Sequence, residues 1–284
     1  MFQLGMITDE VSQNLKEVAA FCRDFDLSHV ELRSVEGKGP FEWSDADADH
    51  IRRFTQDQGL SVVALSSPLF KCDIGNEAAI AAQIDSFDRL SDYACAFGCK
   101  IIRGFDFWAC GASPLRRAEK YQKIIELCEK KDLTCALEYD PSVHASTPGL
   151  LKELLDTIHH PRIRALFDPG NGIFSAPDSH PYPDDYELLK NDLCHIHVKD
   201  AKIINGKVDA VRVGDGWVNY PGLIQKLIQD DYSGYLMLET HYRLTSLLTE
   251  EQLKLPGGNA FSLGGEPASR ESMKRLKEII ANAQ

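Results

Sequence analysis

No stretch of this 284-residue chain comes near the roughly 18 uncharged apolar residues that a membrane span requires, so no membrane partner is expected. The amino terminus, Met1 to Glu10, meets the acidic pair Asp9-Glu10 before any long apolar run. It lacks the basic start and cleavage site of a secretory leader, which makes the cytoplasm the expected address. The eight cysteines (Cys22, Cys72, Cys95, Cys99, Cys110, Cys128, Cys135 and Cys194) contain no CxxC pair. In a chain of this length that excludes a zinc ribbon or a disulfide framework and leaves reduced, mostly buried thiols. Basic residues are scarce, 31 against 43 acidic, for a formal net charge of −12. A field of that sign repels phosphate polymers, so nucleic acid is not an expected partner, although a local cationic pocket for a small anion remains compatible with it. The first strand-to-helix turn reads Thr8-Asp9-Glu10-Val11-Ser12. Without a GxGxxG it offers a dinucleotide no phosphate loop. Linkers rich in Pro or Ser and low-complexity tracts are also missing, and residues 1–284 read as one domain.

What the chain does have is rhythm. With 43% apolar and 26% charged residues it has the make-up of a soluble globular protein. Short β-type runs recur at Phe2–Ile7, His29–Leu32, Ser61–Leu65, Lys100–Arg103, Thr134–Glu138, Ile163–Asp168, Cys194–Val198 and Tyr235–Glu239. Amphipathic helical patterns separate them: Asn14–Phe25, Asn76–Phe97, Leu115–Lys130, Thr147–Ile158, Asp184–Lys190, Tyr220–Ile228 and Pro267–Asn282. In Asn76–Phe97, for example, Ile80, Ile84, Phe87, Leu90, Ala94 and Phe97 fall at three- and four-residue steps. Eight strands alternating with helices predict an α/β fold, a single-domain (β/α)₈ TIM barrel, rather than an open sheet. Two long excursions follow late strands. Lys202–Gly216 carries the hairpin signal Asn205-Gly206, and His241–Gly265 precedes the last helix. Both are expected over the face where barrel enzymes do chemistry.

Four residues share one address in that scheme. Glu138 ends the fifth strand, Asp168 ends the sixth, His197 lies near the end of the seventh, and Glu239 ends the eighth. Neighbouring strands lie about 5 Å apart, so these side chains converge on one point. Three carboxylates and an imidazole make a hard site suited to Mn²⁺, Mg²⁺ or Co²⁺, with Zn²⁺ as an alternative. Crowding three carboxylates in a dry place is costly without a cation. One divalent metal ion per chain is the expectation. Each residue alone has an ordinary explanation. A carboxylate after a strand often caps a helix, and Asp168-Pro169-Gly170-Asn171 also suits a simple turn. His195 alternates with His197 across Ile196 and reads either as a substrate contact or as a core imidazole. Trp217, among Gly214, Gly216 and Tyr220, reads as packing.

The chain also resembles the xylose-isomerase-like barrel superfamily of sugar isomerases and epimerases over essentially its whole length. The resemblance rests on Leu137-Glu138, Phe167-Asp168-Pro169-Gly170-Asn171, His195-Ile196-His197-Val198-Lys199-Asp200, Gly214-Asp215-Gly216-Trp217-Val218-Asn219-Tyr220 and Leu238-Glu239-Thr240-His241. The run Gly264-Gly265-Glu266-Pro267-Ala268-Ser269-Arg270-Glu271-Ser272 is similar to the family's closing segment. It implies a metal held by Glu138, Asp168, His197 and Glu239, a small carbohydrate substrate, and assembly into dimers or tetramers. The chain departs from the family's ketose 3-epimerases, which carry a His where this chain has Asn171 and an Arg where it has Lys199 and Lys202. The related three-metal endonucleases need histidines that Glu31-Leu32-Arg33 and Ser66-Ser67-Pro68 do not supply.

These readings predict a divalent-metal-dependent sugar, sugar-phosphate or keto-sugar isomerase or epimerase. Glu138 and Glu239 would act as base and acid on opposite faces of an enediolate. Asp168 and His197 would hold the metal. Asn171, His195, Lys199 and Arg270 are the expected substrate contacts. Arg33 and Arg103, at the ends of strands two and four, are read either as oxygen ligands or as ordinary ion-pair partners. The alternative is a lyase or dehydratase on a keto-cyclitol, keto-glycoside or dehydroshikimate-like substrate, with a metal-dependent endonuclease as a remote one.

Overall fold

The computed structural model describes residues 2–109, 111–245 and 248–283, so the reading of Cys110 as a reduced thiol lies outside the described residues. Among the described residues ten strands follow one another: β1 Gln3–Ile7, β2 His29–Leu32, β3 Ser61–Leu69, β4 Ile101–Gly104, β5 Thr134–Glu138, β6 Ile163–Phe167, β7 Leu193–Val198, β8 Asp200–Ile204, β9 Lys207–Val211 and β10 Tyr235–Leu238. Eight close a barrel in the order β1-β10-β7-β6-β5-β4-β3-β2. All eight neighbouring pairs are parallel, as helical crossovers dictate. The (β/α)₈ expectation holds. β8 and β9 form the separate antiparallel hairpin, with Asn205 and Gly206 both at positive φ, as a two-residue primed turn requires.

The helices differ from the sequence reading in instructive places. Asp45–Asp57 is a helix that the periodicity did not announce. Its buried face is only Ala48, Ile51 and Thr55, and what starts it is a capping box between Ser44 and Asp47. The expected helix Leu115–Lys130 is two, Pro114–Glu119 and Gln122–Lys131. Between them the buried Tyr121 hydroxyl donates to Phe105 O at 2.6 Å, and Arg117 is drawn inward onto Asp106. The α-helix expected over Asp184–Lys190 covers only Tyr186–Leu189. The third strand runs four residues beyond expectation because a register shift between Ser66 and Leu69 takes up Pro68, which has no N–H for a ladder. Seven cysteines among the described residues are free thiols, five of them buried.

Most apolar residues fill one cluster between the strands and the surrounding helices, anchored by Phe21, Phe87, Leu90, Leu154 and Leu223. Inside the barrel the lower layers are small and apolar: Ala64, Ile101, Ala136 and Leu166, with Ile7, Val63 and Met237. Two residues further along the same strands come Arg103, Glu138, Asp168 and Glu239. Because side chains alternate with period two, these charged groups share the inward face with the apolar layer below. A dry floor therefore carries a charged rim at the C-terminal end of the barrel.

Candidate metal centre

At that rim Glu138, Asp168, His197 and Glu239 each offer one ligand atom within 4.8 Å of the others, and all four side chains are buried. His197 Nδ1 lies 3.2 Å from Glu239 Oε2 and 3.5 Å from Glu138 Oε1. It makes no hydrogen bond there. The other ring nitrogen, Nε2, is 3.1 Å from each oxygen of Glu31. When the ring is neutral, a carboxylate at Nε2 fixes the proton on that side and puts the lone pair on Nδ1, toward the three acids. Three carboxylates around an imidazole nitrogen that has no hydrogen-bond partner form a donor set that suits a divalent cation.

Each acid is built in by local structure. Asp168 caps the helix Pro169–Ser175: its Oδ1 accepts from Asn171 N at 3.1 Å, and Pro169 occupies the first turn. The capping reading is thus realised through Oδ1, and Oδ2 is the oxygen left facing the rim. Gly170 is required here because a Cβ would stand 2.6 Å from Lys199 Cγ and 2.9 Å from Lys199 O. Asn171 turns back to donate from Nδ2 to Glu138 Oε1 at 2.9 Å and to Tyr139 O at 3.0 Å. Lys199 Nζ reaches Asp168 Oδ2 at 2.6 Å and Glu239 Oε2 at 2.9 Å. Arg103 Nη1 donates to Glu138 Oε2 at 3.1 Å. Arg33 binds Glu239 through Nη1 and holds Glu10 through Nη2 at 2.7 Å and Asp9 through Nε at 3.0 Å.

The electrostatics follow from this crowding. Burial works to raise Glu239, but Lys199 and His197 outweigh it and hold the carboxyl well below its usual range. Asp168 goes the other way: burial and repulsion from Glu239 and Glu138 exceed the pull of Lys199 and push it well above its ordinary value. For His197 burial favours the neutral ring, yet Glu31, Glu239 and Glu138 together raise it well above an ordinary histidine. Without a cation the rim therefore retains protons in order to hold three acids together, which a divalent ion would displace. Burial, with Lys199 and Arg33 beside it, keeps His241 neutral.

A cavity of about 380 Å³ opens above the rim, bordered by Glu138, Asn171, Lys199, Glu239, Arg103 and His241 among others. Two expected substrate contacts, Asn171 and Lys199, stand on its wall. His195 does not. Its Nε2 lies 2.8 Å from Glu31 Oε2, its ring packs edge-on against His197, and it is fully buried below the rim. The core-imidazole arrangement is the one seen. Arg270 is a correction. It lies in the helix Gly265–Ala283, binds Glu266 and Asp24 and spreads over Phe21 and Phe25 in the outer layer. The helical phase that turns Ser269, Ser272 and Met273 inward turns Arg270 away from the barrel mouth. Trp217 is a second correction, being 47% exposed. The loop around it is held by Asp200, which accepts from the amides of Gly214, Gly216 and Val218 at 2.9 to 3.1 Å.

Sequence reasoning left four participants out of the site: Glu31, Glu10, His241 and Lys71. Glu31 and Arg33 fall two apart at the end of β2, the same alternation that marks His195 and His197. That signal was available. Lys71 had none, since its place beside Asp140, 2.9 Å away, depends on the irregular end of β3. Glu31 with His195 and His197, and Glu10 with Glu239 and His241, also bring ligand atoms together. The first set is closed by hydrogen bonds, and Arg33 already supplies the cation of the second.

A family model described as a xylose isomerase-like TIM barrel matches residues 16–279. The chain belongs to that family. No curated protein sequence matches it. Among solved structures it is similar to an L-ribulose 3-epimerase (TM-score 0.75, 14% identity, 100% of this chain and 96% of that one). It is also similar to IOLI protein with a binding zinc atom (0.74, 16%, 100% and 99%). A third is the probable 3-DHS dehydratase AsbF from Bacillus anthracis (0.71, 19%, 98% and 99%). Among the described residues no helix is long and apolar enough to cross a membrane.

Proposed function

We propose that the chain is a divalent-metal-dependent enzyme that isomerises or epimerises a small carbohydrate, a sugar or keto-sugar, through an enediolate. The observation that carries this reading is the placement of Glu138 and Glu239 within 3.5 Å of His197 Nδ1, both bordering the 380 Å³ cavity. Glu138, Asp168, His197 and Glu239 would hold the ion, with Mn²⁺, Mg²⁺ or Co²⁺ favoured by the oxygen-rich set and Zn²⁺ the alternative. When bound, it would supply Lewis acidity toward a substrate carbonyl. The remaining steps fall to side chains. One of the two glutamates removes the proton from the carbon beside the carbonyl, and the other returns a proton from the opposite side. Lys199 and Arg103, already at the carboxylates, offset negative charge as it develops on the substrate oxygens. Asn171 fixes the Glu138 carboxyl through Oε1, and Arg33 fixes Glu239.

The fold shared with an epimerase is in keeping with this reading. A dehydratase is the second reading, in keeping with the fold shared with a probable 3-DHS dehydratase and with a wall of polar groups (Lys199 and His241) around the cavity; it shares the first proton abstraction and then loses a β-hydroxyl as water. Loss of water seen by mass spectrometry distinguishes it. The test of the main reading is exchange of solvent deuterium into a panel of metal-supplemented keto-sugars. Glu138→Gln and Glu239→Gln should each abolish exchange while leaving the circular dichroism unchanged; full exchange in either variant sinks the paired-carboxylate scheme.

A further inference from the structure

The cavity over Glu138 and Glu239 has a neighbour. A second hollow of about 280 Å³ opens beside it, over the ends of β2 and β3. The two share Lys71, Arg103, Phe105 and Pro256 as a common wall. Side chains of the second hollow also reach the buried acids of the site. Arg33 borders the second hollow and binds Glu239, while Ser66 borders it and binds Glu31. The segment Leu255–Gly258 covers it and is tied down on both sides, by Lys71 Nζ to Lys254 O at 2.8 Å and by Gly258 N to Ser34 Oγ at 2.9 Å. Small-molecule clefts start at about 300 Å³, so the first hollow, at about 380 Å³, is large enough for one sugar ring, and the second adds about 280 Å³ beside it.

The lining of the second hollow identifies what suits it. Pro40, Pro68 and Leu255 present apolar faces, and Ser34 and Glu42 present polar groups at its edge. Such a mixture matches a ring with an apolar C–H face and a rim of hydroxyls. Charge decides between a sugar and a phosphate. Every cation bordering it has a carboxylate partner: Arg33 has Asp9 and Glu10, Arg103 has Glu138, and Lys71 has Asp140. An anionic group would have to compete for one of these buried pairs, which are costly to break. A neutral oxygen need not, and Arg103 Nε, on the shared wall, is a buried donor with no hydrogen-bond partner.

We propose that the substrate is a neutral two-ring glycoside, with the reacting ring over Glu138 and Glu239 and the second ring in the hollow between Arg33, Pro40 and Leu255. The proposal rests on the carbohydrate reading above and names its substrate class. It is tested by calorimetric titration of the full chain, in excess Mn²⁺, with glucose, glucose 6-phosphate, maltose, cellobiose and trehalose. At least one disaccharide should bind about tenfold or more tightly than glucose, and glucose 6-phosphate no more tightly than glucose. The disaccharide-to-glucose ratio should fall toward unity in Gly39→Phe. The Gly39 backbone (φ −77°, ψ 165°) suits any residue, and a Cβ there would meet only Glu42 Oε2 at 3.4 Å and Arg33 O at 4.0 Å. Leu255→Ala, at a position 53% exposed, should lower the ratio without endangering the fold. Preference for glucose 6-phosphate over every disaccharide overturns the proposal. So does a disaccharide gain that survives both variants. If single-ring keto-sugars exchange deuterium while no disaccharide gains affinity, the second hollow falls and the enediolate chemistry stands. A disaccharide gain without exchange in the corresponding keto-glycoside keeps the hollow and sinks the chemistry.

Discussion

Replacing Glu31 by Gln changes one atom in the core and should be read out at the metal centre. Glu31 accepts from three side chains: Ser66 Oγ and His197 on Oε1, and His195 and His197 on Oε2, the nearest ring nitrogens at 2.8 and 3.1 Å. A carboxylate can receive all of these because it has only acceptor sites. A Gln amide in the same place must present an NH₂ to one of them. If that group meets His197 Nε2, the ring proton moves to Nδ1 and the lone pair facing Glu138 and Glu239 is lost. If it meets His195 instead, His197 keeps its tautomer but is held by a weaker, neutral acceptor. Loss of such a supporting partner lowers metal affinity by about 10- to 100-fold, or about 1.4 to 2.7 kcal/mol. Competition of the purified chain with a fluorescent chelator for Mn²⁺ and Zn²⁺ at neutral pH measures it. Ser66→Ala is the control, since it removes a donor to the same carboxylate without altering either ring. Unchanged metal affinity in Glu31→Gln, with the fold intact, would refute the claim that Glu31 sets the His197 tautomer.

Other perturbations test the frame around the site. Gly170→Ala should cost about 1 to 3 kcal/mol, because the added methyl collides with Lys199 Cγ and its backbone oxygen; thermal denaturation reports the loss, and an unchanged melting temperature would contradict the close approach. Burial and the neighbouring Asp184 push Asp185 up to about 6, and its Oδ2 is buried without a hydrogen-bond partner. With an unfolded value near 3.9, the folded state binds the extra proton, so this contribution is present below about pH 4 and lost as pH rises through about 6. The full linkage value is about 3 kcal/mol, which solvent screening of a half-buried group reduces to about 1 kcal/mol. Asp185→Asn should therefore raise the melting temperature at pH 7 relative to wild type and show no gain at pH 4; a gain of equal size at both would contradict the assignment.

The barrel was legible because each strand is a short apolar run closed by a polar residue, and the four candidate ligands were legible because they do that closing. Period-two alternation turns Ala136 into a predictor of Glu138 and Leu166 into a predictor of Asp168. What escaped depends on tertiary context. Glu31 and Arg33 look like ordinary strand-end charges until Asp9, Glu10 and Glu239 are brought round the barrel to meet them. Lys71 and the cover Leu255–Gly258 come from segments without periodicity. Asp45–Asp57 shows too thin an apolar stripe to stand out as a helix. Arg270 misled for the opposite reason: resemblance in the closing segment says which residues are shared, and helical phase decides which way each one faces.

The central claim is that Glu138, Asp168, His197 and Glu239 hold one divalent ion at the barrel mouth. Elemental analysis of the purified chain, with reconstitution by Mn²⁺, Co²⁺, Mg²⁺ and Zn²⁺, tests it most directly. About one ion per chain is expected, lost in Asp168→Ala and in His197→Ala while both variants keep the fold. Three zinc ions per chain would redirect the chemistry toward phosphodiester hydrolysis, and a chain that binds no divalent ion under any condition would contradict the account at its root.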